Sequence, residues 1–203
     1  MLVFGTLGPA GSNHEWVARR YLQFHGLQHA RLELFADFEP AFQRLSAGDL
    51  DHIIQVAVHA SVAGTVARWR NRVHVIDTFI SPSQPMAVLT RADVSEPRSL
   101  GLQLATRDYV DTSRWQQLVS EPSTVDVGRG LLDGKYDSGI TLLKYADRYP
   151  DRLRLLEAIG TVVDLWLVYG TEATAAGQPV IWPDSPAAQR FRAAQSPPRR
   201  SPM

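Results

Sequence analysis

Four short segments of this 203-residue chain carry side chains that hold anions or move protons, and each lies where a strand-like run meets a turn. The first is Leu7-Gly8-Pro9-Ala10-Gly11-Ser12-Asn13-His14. Its glycines let the backbone turn tightly and approach a ligand. Ser12 and Asn13 can cap a following helix, whose first N–H groups then face an anion. The same residues would also serve a plain strand–turn–helix connection. The second, His59-Ala60-Ser61-Val62-Ala63-Gly64-Thr65, follows the apolar run Ile53–Val58. Loops at the carboxyl ends of strands collect binding groups, and His59 can donate a hydrogen bond or supply a proton, or be structural. The third is Ala105-Thr106-Arg107-Asp108-Tyr109, where Arg107 can clamp a carboxylate with its two-pronged guanidinium or pair with Asp108 or Asp111. In the fourth, Pro122-Ser123-Thr124, two hydroxyls precede a helix-period stretch and can cap it or hold an oxyanion.

Other chemistries find no support. The chain has no cysteine, which excludes disulfides, thiolate metal sites and a thiol nucleophile. The histidines have no metal-ligand spacing, so no metal is predicted. There is no P-loop, no G-x-G-x-x-G fingerprint and no G-x-S-x-G elbow. Lys plus Arg and Asp plus Glu are both 21, and nothing in that balance points to nucleic acid. Pro197-Pro198-Arg199-Arg200 reads as a small solvated basic patch. The start Met1-Leu2-Val3-Phe4-Gly5 lacks a basic segment before its apolar run, so no signal peptide is expected, and no apolar run is long enough to span a membrane. The expectation is a cytoplasmic protein with a small-molecule ligand.

The elements that position these loops alternate. Leu2–Leu7 reads as a strand. A helix follows with Val17, Tyr21 and Phe24 on one face, and Gly26 closes it. Arg31–Ala36 alternates like a strand, and Phe38, Ala41, Phe42 and Leu45 form an amphipathic stripe ended by Gly48. Ile53–Val58 is a buried strand. This β-α-β-α-β order implies a mostly parallel sheet. After Ser81-Pro82-Ser83-Gln84-Pro85 a second set follows: strands Met86–Thr90, Gly101–Ala105 and Ser138–Thr141, and helices near Thr112–Val119 and Val125–Leu132. Leu153–Ala158 and Val162–Tyr169 are further strands, the last recrossing to the first set. The prediction is an α/β chain of two lobes, about 1–80 plus 162–170 and about 81–161, with segments crossing near Phe79–Ser83 and Ile159–Asp164. Ligands in open α/β folds sit beyond the carboxyl ends of the strands, here the inter-lobe cleft. Residues 171–203 read as a mobile tail with one helix at Pro186–Ala194.

Taken together the loops resemble prephenate dehydratases. Leu7-Gly8-Pro9-Ala10-Gly11-Ser12 is similar to their L-G-P-x-G-T opening, and Phe35–Phe42 with Ala47–Asp51 to their strand–helix–strand connection. His59-Ala60-Ser61-Val62-Ala63-Gly64-Thr65-Val66 stands where that family has E-N-S-x-x-G-x-V. Pro122-Ser123-Thr124 with Asp133-Gly134 resembles the later S-T helix. The likeness runs from about residue 3 to residue 170 and implies a type-2 periplasmic-binding-protein-like fold. The departures are specific. Asp164-Leu165-Trp166 stands where dehydratases carry T-R-F, His59-Ala60 replaces Glu-Asn, and with about thirty residues after Gly170 the usual ACT domain is not expected. These changes, with Pro85-Met86, resemble the non-aromatising prephenate decarboxylases of bacilysin-type antibiotic biosynthesis. That resemblance implies a cofactor-free lyase that removes carbon dioxide and retains the ring hydroxyl. It places His59 and Ser61 near the ring as catalytic residues. Gly11, Ser12, Asn13, Thr106, Arg107, Ser123 and Thr124 bind substrate, and Trp166 walls the cleft. An unregulated dehydratase, with Asp164 acting on the hydroxyl, and a non-catalytic binding protein are the alternatives. The oligomeric state, a homodimer for example, is open.

Overall fold

A computed structural model of the chain describes residues 1–174 and 177–195. The chain divides into a unit of Met1–Ala173 and a unit of Thr174–Met203. Within the first, two five-stranded sheets form the two lobes.

Lobe 1 begins with β1 (Val3–Leu7), α1 (Asn13–Phe24), β2 (Arg31–Phe35), α2 (Phe38–Ala47) and β3 (His52–Val56). β1 pairs in parallel with both β2 and β3. Both helices start at side-chain caps: Ser12 accepts the Glu15 N–H and Asp37 accepts that of Glu39. The α2 stripe Phe38, Ala41, Phe42 and Leu45 is wholly buried on one face of the sheet, against Leu50, Ile53 and Tyr169. Gly48 ends α2 at φ 84°, the left-handed conformation that favours glycine. On the other face α1 buries Val17, Ala18 and Leu22 against Ile54, Val56 and Val168. Phe24, expected on that stripe, is 84% exposed. It lies on the margin of the Val17-Ala18-Leu22 face, where the helix has already reached its end. α3 (Val62–Trp69) and β4 (His74–Pro82) complete the first pass.

Lobe 2 repeats the plan. β5 (Met86–Arg91), β6 (Ser99–Leu102), β7 (Gln117–Ser120), α4 (Thr124–Leu132), β8 (Ser138–Leu142), α5 (Lys144–Arg148) and β9 (Leu153–Gly160) precede β10 (Val163–Gly170), which returns to lobe 1. The orders are β2-β1-β3-β10-β4 and β7-β6-β8-β5-β9. In each sheet three parallel strands continue into two antiparallel ones, contributed by the crossing segments. The crossings are tied together: Ser83 N–H donates to Val162 O at 2.7 Å, and Val162 N–H donates to Ser83 Oγ at 3.0 Å.

The helix expected near Thr112–Val119 is a correction. Thr112–Arg114 makes one 3-10 turn, and Gln117–Ser120 is strand β7, parallel to β6. Trp115, Leu118 and Val119 have helical spacing, but the unsatisfied edge of β6 takes the segment as a strand, while Trp115 anchors in the core. The strand expected over Gly101–Ala105 stops at Leu102, and Leu104–Tyr109 is a 3-10 helix.

The second unit contains α6 (Pro186–Gln195), begun by Ser185, whose Oγ accepts the Ala188 N–H at 3.1 Å. The basic patch Pro197-Pro198-Arg199-Arg200 lies outside the described residues. Among the described residues no helix is long and apolar enough to cross a membrane.

Candidate functional site

The carboxyl ends of β1 and β3, the start of β10 and the Ser83–Gln84 crossing bring lobe 1 to the cleft, and α5 and the 104–109 turn bring lobe 2. The β3 end holds the most organised group. Ser61 N–H donates to His59 Nδ1 at 3.2 Å, and Ser61 Oγ lies 2.8 Å from the same nitrogen. Gln55, buried in β3, donates its Nε2 to Ser61 Oγ at 2.9 Å. With its oxygen already accepting from Gln55, the Ser61 hydroxyl proton is directed at His59. Nδ1 is thus an acceptor twice over, and the neutral ring carries its proton on Nε2. Burial lowers the His59 pKa, against a smaller upward pull from the Asp37 charge.

His14 was not among the predicted site residues, yet it joins this group. It sits in the first turn of α1, with its ring edge-on to those of His59 and Trp166, at centroid distances of 6.3 and 5.3 Å. Its Nε2 is sealed from solvent without a partner. Burial, helped by the His59 charge, pushes its pKa down to about 3. The floor of the cleft therefore carries a neutral His14 beside His59. Trp166, expected along the wall, is fully buried behind His14 against Phe79 and braces the floor from within.

The Gly-rich turn is occupied by the protein itself. Gly11 N–H donates to Glu15 Oε2 at 2.6 Å, and Gly11 O accepts from Lys144 Nζ at 3.0 Å and Gln84 Nε2 at 3.2 Å. Ser12 Oγ caps α1 and donates to Leu7 O at 3.2 Å. Asn13 Oδ1 accepts the Gln84 N–H at 3.0 Å, so it joins the turn to the crossing segment. The Gly11 N–H and the Ser12 hydroxyl are thus spent within the protein, whereas Asn13 is engaged through its Oδ1.

On lobe 2, Thr106 is buried and donates its hydroxyl to Gln103 O at 2.7 Å, holding the 3-10 turn that exposes Arg107. Arg107 makes no hydrogen bond or ion pair among the described residues. Ser123 caps α4, accepting the Asp126 N–H at 3.1 Å and donating to its carboxylate at 2.7 Å. Thr124 is half-buried, with its carbonyl accepting from Thr141 Oγ1 at 2.6 Å. Two further residues face one another from opposite lobes. Asp164, on β10, has no hydrogen-bond or ion-pair partner among the described residues, and burial raises its pKa. Its charge reaches Tyr109, whose pKa burial also raises. A separate cavity of about 320 Å³ at the far end of lobe 2 is lined by Arg91, Asp133 and Arg152. Its guanidiniums are engaged, Arg91 by Asp93 and Arg152 by the Leu132 carbonyl.

Two mixed α/β sheets joined by two crossing segments, with polar groups gathered between them, define a two-lobed periplasmic-binding-protein-like fold. Solved structures agree. The chain is similar to the prephenate dehydratase of Arthrobacter aurescens in complex with L-Phe, at TM-score 0.61 and 19% identity over 93% of this chain and 69% of that one. It is similar to the prephenate dehydratase of Staphylococcus aureus subsp. aureus Mu50 at TM-score 0.59 and 14% identity, over 86% and 67%. An ABC transporter structure from Parabacteroides distasonis matches at TM-score 0.52 and 14% identity, over 96% and 69%. No family model matches the sequence, and no curated protein matches it. At these identities the likeness establishes the fold.

Proposed function

We propose that the cleft decarboxylates prephenate without aromatising it, and the observation that carries this reading is the hydrogen-bonded His59–Ser61–Gln55 row at the end of β3. Prephenate is a dianion whose ring carboxylate leaves as carbon dioxide when the carbon–carbon electron pair moves into the ring diene. One proton must then reach a ring carbon, and the hydroxyl stays. Orientation, desolvation of the carboxylate and that proton are sufficient, with no external electron sink. Free His59 is neutral near pH 7 because burial lowers its pKa. A bound dianion would raise it again. The proton taken up lands on Nδ1, which then gives up the Ser61 N–H and donates to the Ser61 hydroxyl oxygen, and the imidazolium presents its Nε2–H to the ring. The neighbouring His14, neutral down to about pH 3, is a poor proton donor to the hydroxyl. Arg107 and Thr124 stand on lobe 2 as candidate carboxylate ligands. A non-aromatic product of this kind suits specialised-metabolite biosynthesis.

Asp164 supports a second reading. A half-buried carboxyl with a raised pKa and no partner is suited to protonate a leaving hydroxyl, which would make the chain a dehydratase. The fold also serves binding without chemistry. Incubation of the purified chain with prephenate at neutral or mildly basic pH separates the three, since acid alone aromatises prephenate. Loss of carbon dioxide only, without aromatic proton signals, is the expected result. Loss of carbon dioxide and water would identify a dehydratase, and unchanged prephenate would remove both enzymatic readings.

A further inference from the structure

The chain has two lysines. Lys135 is ion-paired with Glu121 at 2.6 Å. Lys144, at the start of α5, instead meets two neutral oxygens of lobe 1, Gly11 O at 3.0 Å and Gln84 Oε1 at 2.8 Å. Among the described residues it has no ion pair. The acid whose charge acts on it is Glu15, and that carboxylate is already held by Arg19, whose Nε and Nη2 lie 2.9 and 2.7 Å from Oε1. Glu15 is shared with Arg19 and forms no ion pair with Lys144, so it compensates the ammonium only in part. Burial accordingly lowers its pKa, opposed only by the Glu15 charge. An ammonium carries three N–H donors, and two of them are used.

We propose that Lys144 anchors a carboxylate of the ligand, with its third N–H turned to an anion that enters between the Gly-rich turn and lobe 2. Residue type and place fit that role. A partly desolvated cation without an ion pair of its own gains most from an incoming carboxylate, because the attraction is screened less than at the surface. The site takes one charge from lobe 2 and lies against the backbone of lobe 1, so a bound carboxylate would also hold the lobes together. Arg107, the cation singled out from sequence, stands alone on an exposed turn, whereas Lys144 is already at the junction.

This inference rests on the reading that the cleft binds a carboxylate ligand, and the test keeps the two apart. In steady-state turnover of prephenate, Lys144→Gln is expected to raise KM at least about tenfold while kcat falls less, and Lys144→Arg to restore most of the loss. An unchanged KM in Lys144→Gln would overturn the anchor. A fall in kcat and in thermal midpoint with no change in KM would also overturn it, by assigning Lys144 a purely structural tie. If the unaltered chain does not turn prephenate over, the proposed reaction has failed but the anchor has not. Thermal shift with prephenate and with phenylpyruvate as carboxylate probes then decides. A rise in midpoint for the parent that is lost in Lys144→Gln supports the anchor. No rise in the parent with either probe overturns it.

Discussion

Gly11 donates its backbone N–H to the carboxylate of Glu15, four residues further along, at 2.6 Å. The sequence suggested that this N–H would wait for a ligand; instead the first turn of α1 supplies its own anion. Burial alone would raise the Glu15 pKa, but the Gly11 N–H and Arg19 outweigh it and bring the net value below the usual carboxylate range. Glu15→Ala should therefore lower unfolding stability by roughly 1.5–3 kcal/mol, the range for a hydrogen bond to a charged group, and leave KM for prephenate unchanged. Denaturant titration and initial rates check both halves. A lowered KM would mean that Glu15 competes with the ligand for Gly11.

The Ser61 contacts to His59 Nδ1 place the mobile proton on Nε2. His59→Ala should lower kcat by roughly a hundredfold or more, the contribution of a positioned proton donor. Ser61→Ala keeps the imidazole and the backbone N–H to Nδ1 and removes only the hydroxyl contact, so its loss in kcat should be smaller. Equal activity in His59→Ala and the parent would return this histidine to a structural role.

His14 gives a pH signature. Its folded pKa is depressed to about 3, so in acid the unfolded chain binds a proton that the folded chain refuses. Stability should be fully present above about pH 6.5 and fall below it, by up to about 1.4 kcal/mol per pH unit, until pH nears 3. Unfolding free energies measured at pH 7 and pH 5 should converge in His14→Phe relative to the parent. An identical acid loss in both proteins would contradict the buried neutral histidine.

Asp164 separates the two reactions. If the chain is a decarboxylase, Asp164→Asn should retain the non-aromatic product, with kcat changed by less than about tenfold. Product analysis by mass and proton NMR is the check. Phenylpyruvate formed by the parent and absent from Asp164→Asn would assign the acid of a dehydratase.

Lobe 2 is packed around Tyr136, which donates its hydroxyl to Val127 O at 2.8 Å. A Cβ at Gly101 would lie 2.2 Å from Tyr136 Cζ, closer than real atoms approach. Gly101→Ala should destabilise by at least about 1–3 kcal/mol, as overpacked cores do, and Gly101→Ala with Tyr136→Leu should recover part of it. Thermal midpoints of the single and double variants test this.

Much of the framework is local and so legible in the residues. The α2 stripe from Phe38 to Leu45 is a 3.6-residue pattern ended by Gly48, and the buried runs at β3, β5, β8 and β10 are short and apolar. The pairing of His59 with Ser61 needs only a two-residue separation in one loop, and the resemblance to prephenate-processing enzymes names both. Elements chosen by their neighbours were not legible. β7 forms because β6 offers an unpaired edge, and β4 alternates too weakly to announce itself until β10 lies beside it. The same holds for His14 and Lys144. His14 matters because Trp166 and His59 close over it from β10 and the β3 loop, and Lys144 because the fold brings it back to Gly11 across a sequence separation of 133. Residue types and short spacings set which groups were available to this protein. Which of them lost their water, their charge partners or their free hydrogen bonds was decided by tertiary packing, because desolvation and long-range contact have no signature in local sequence.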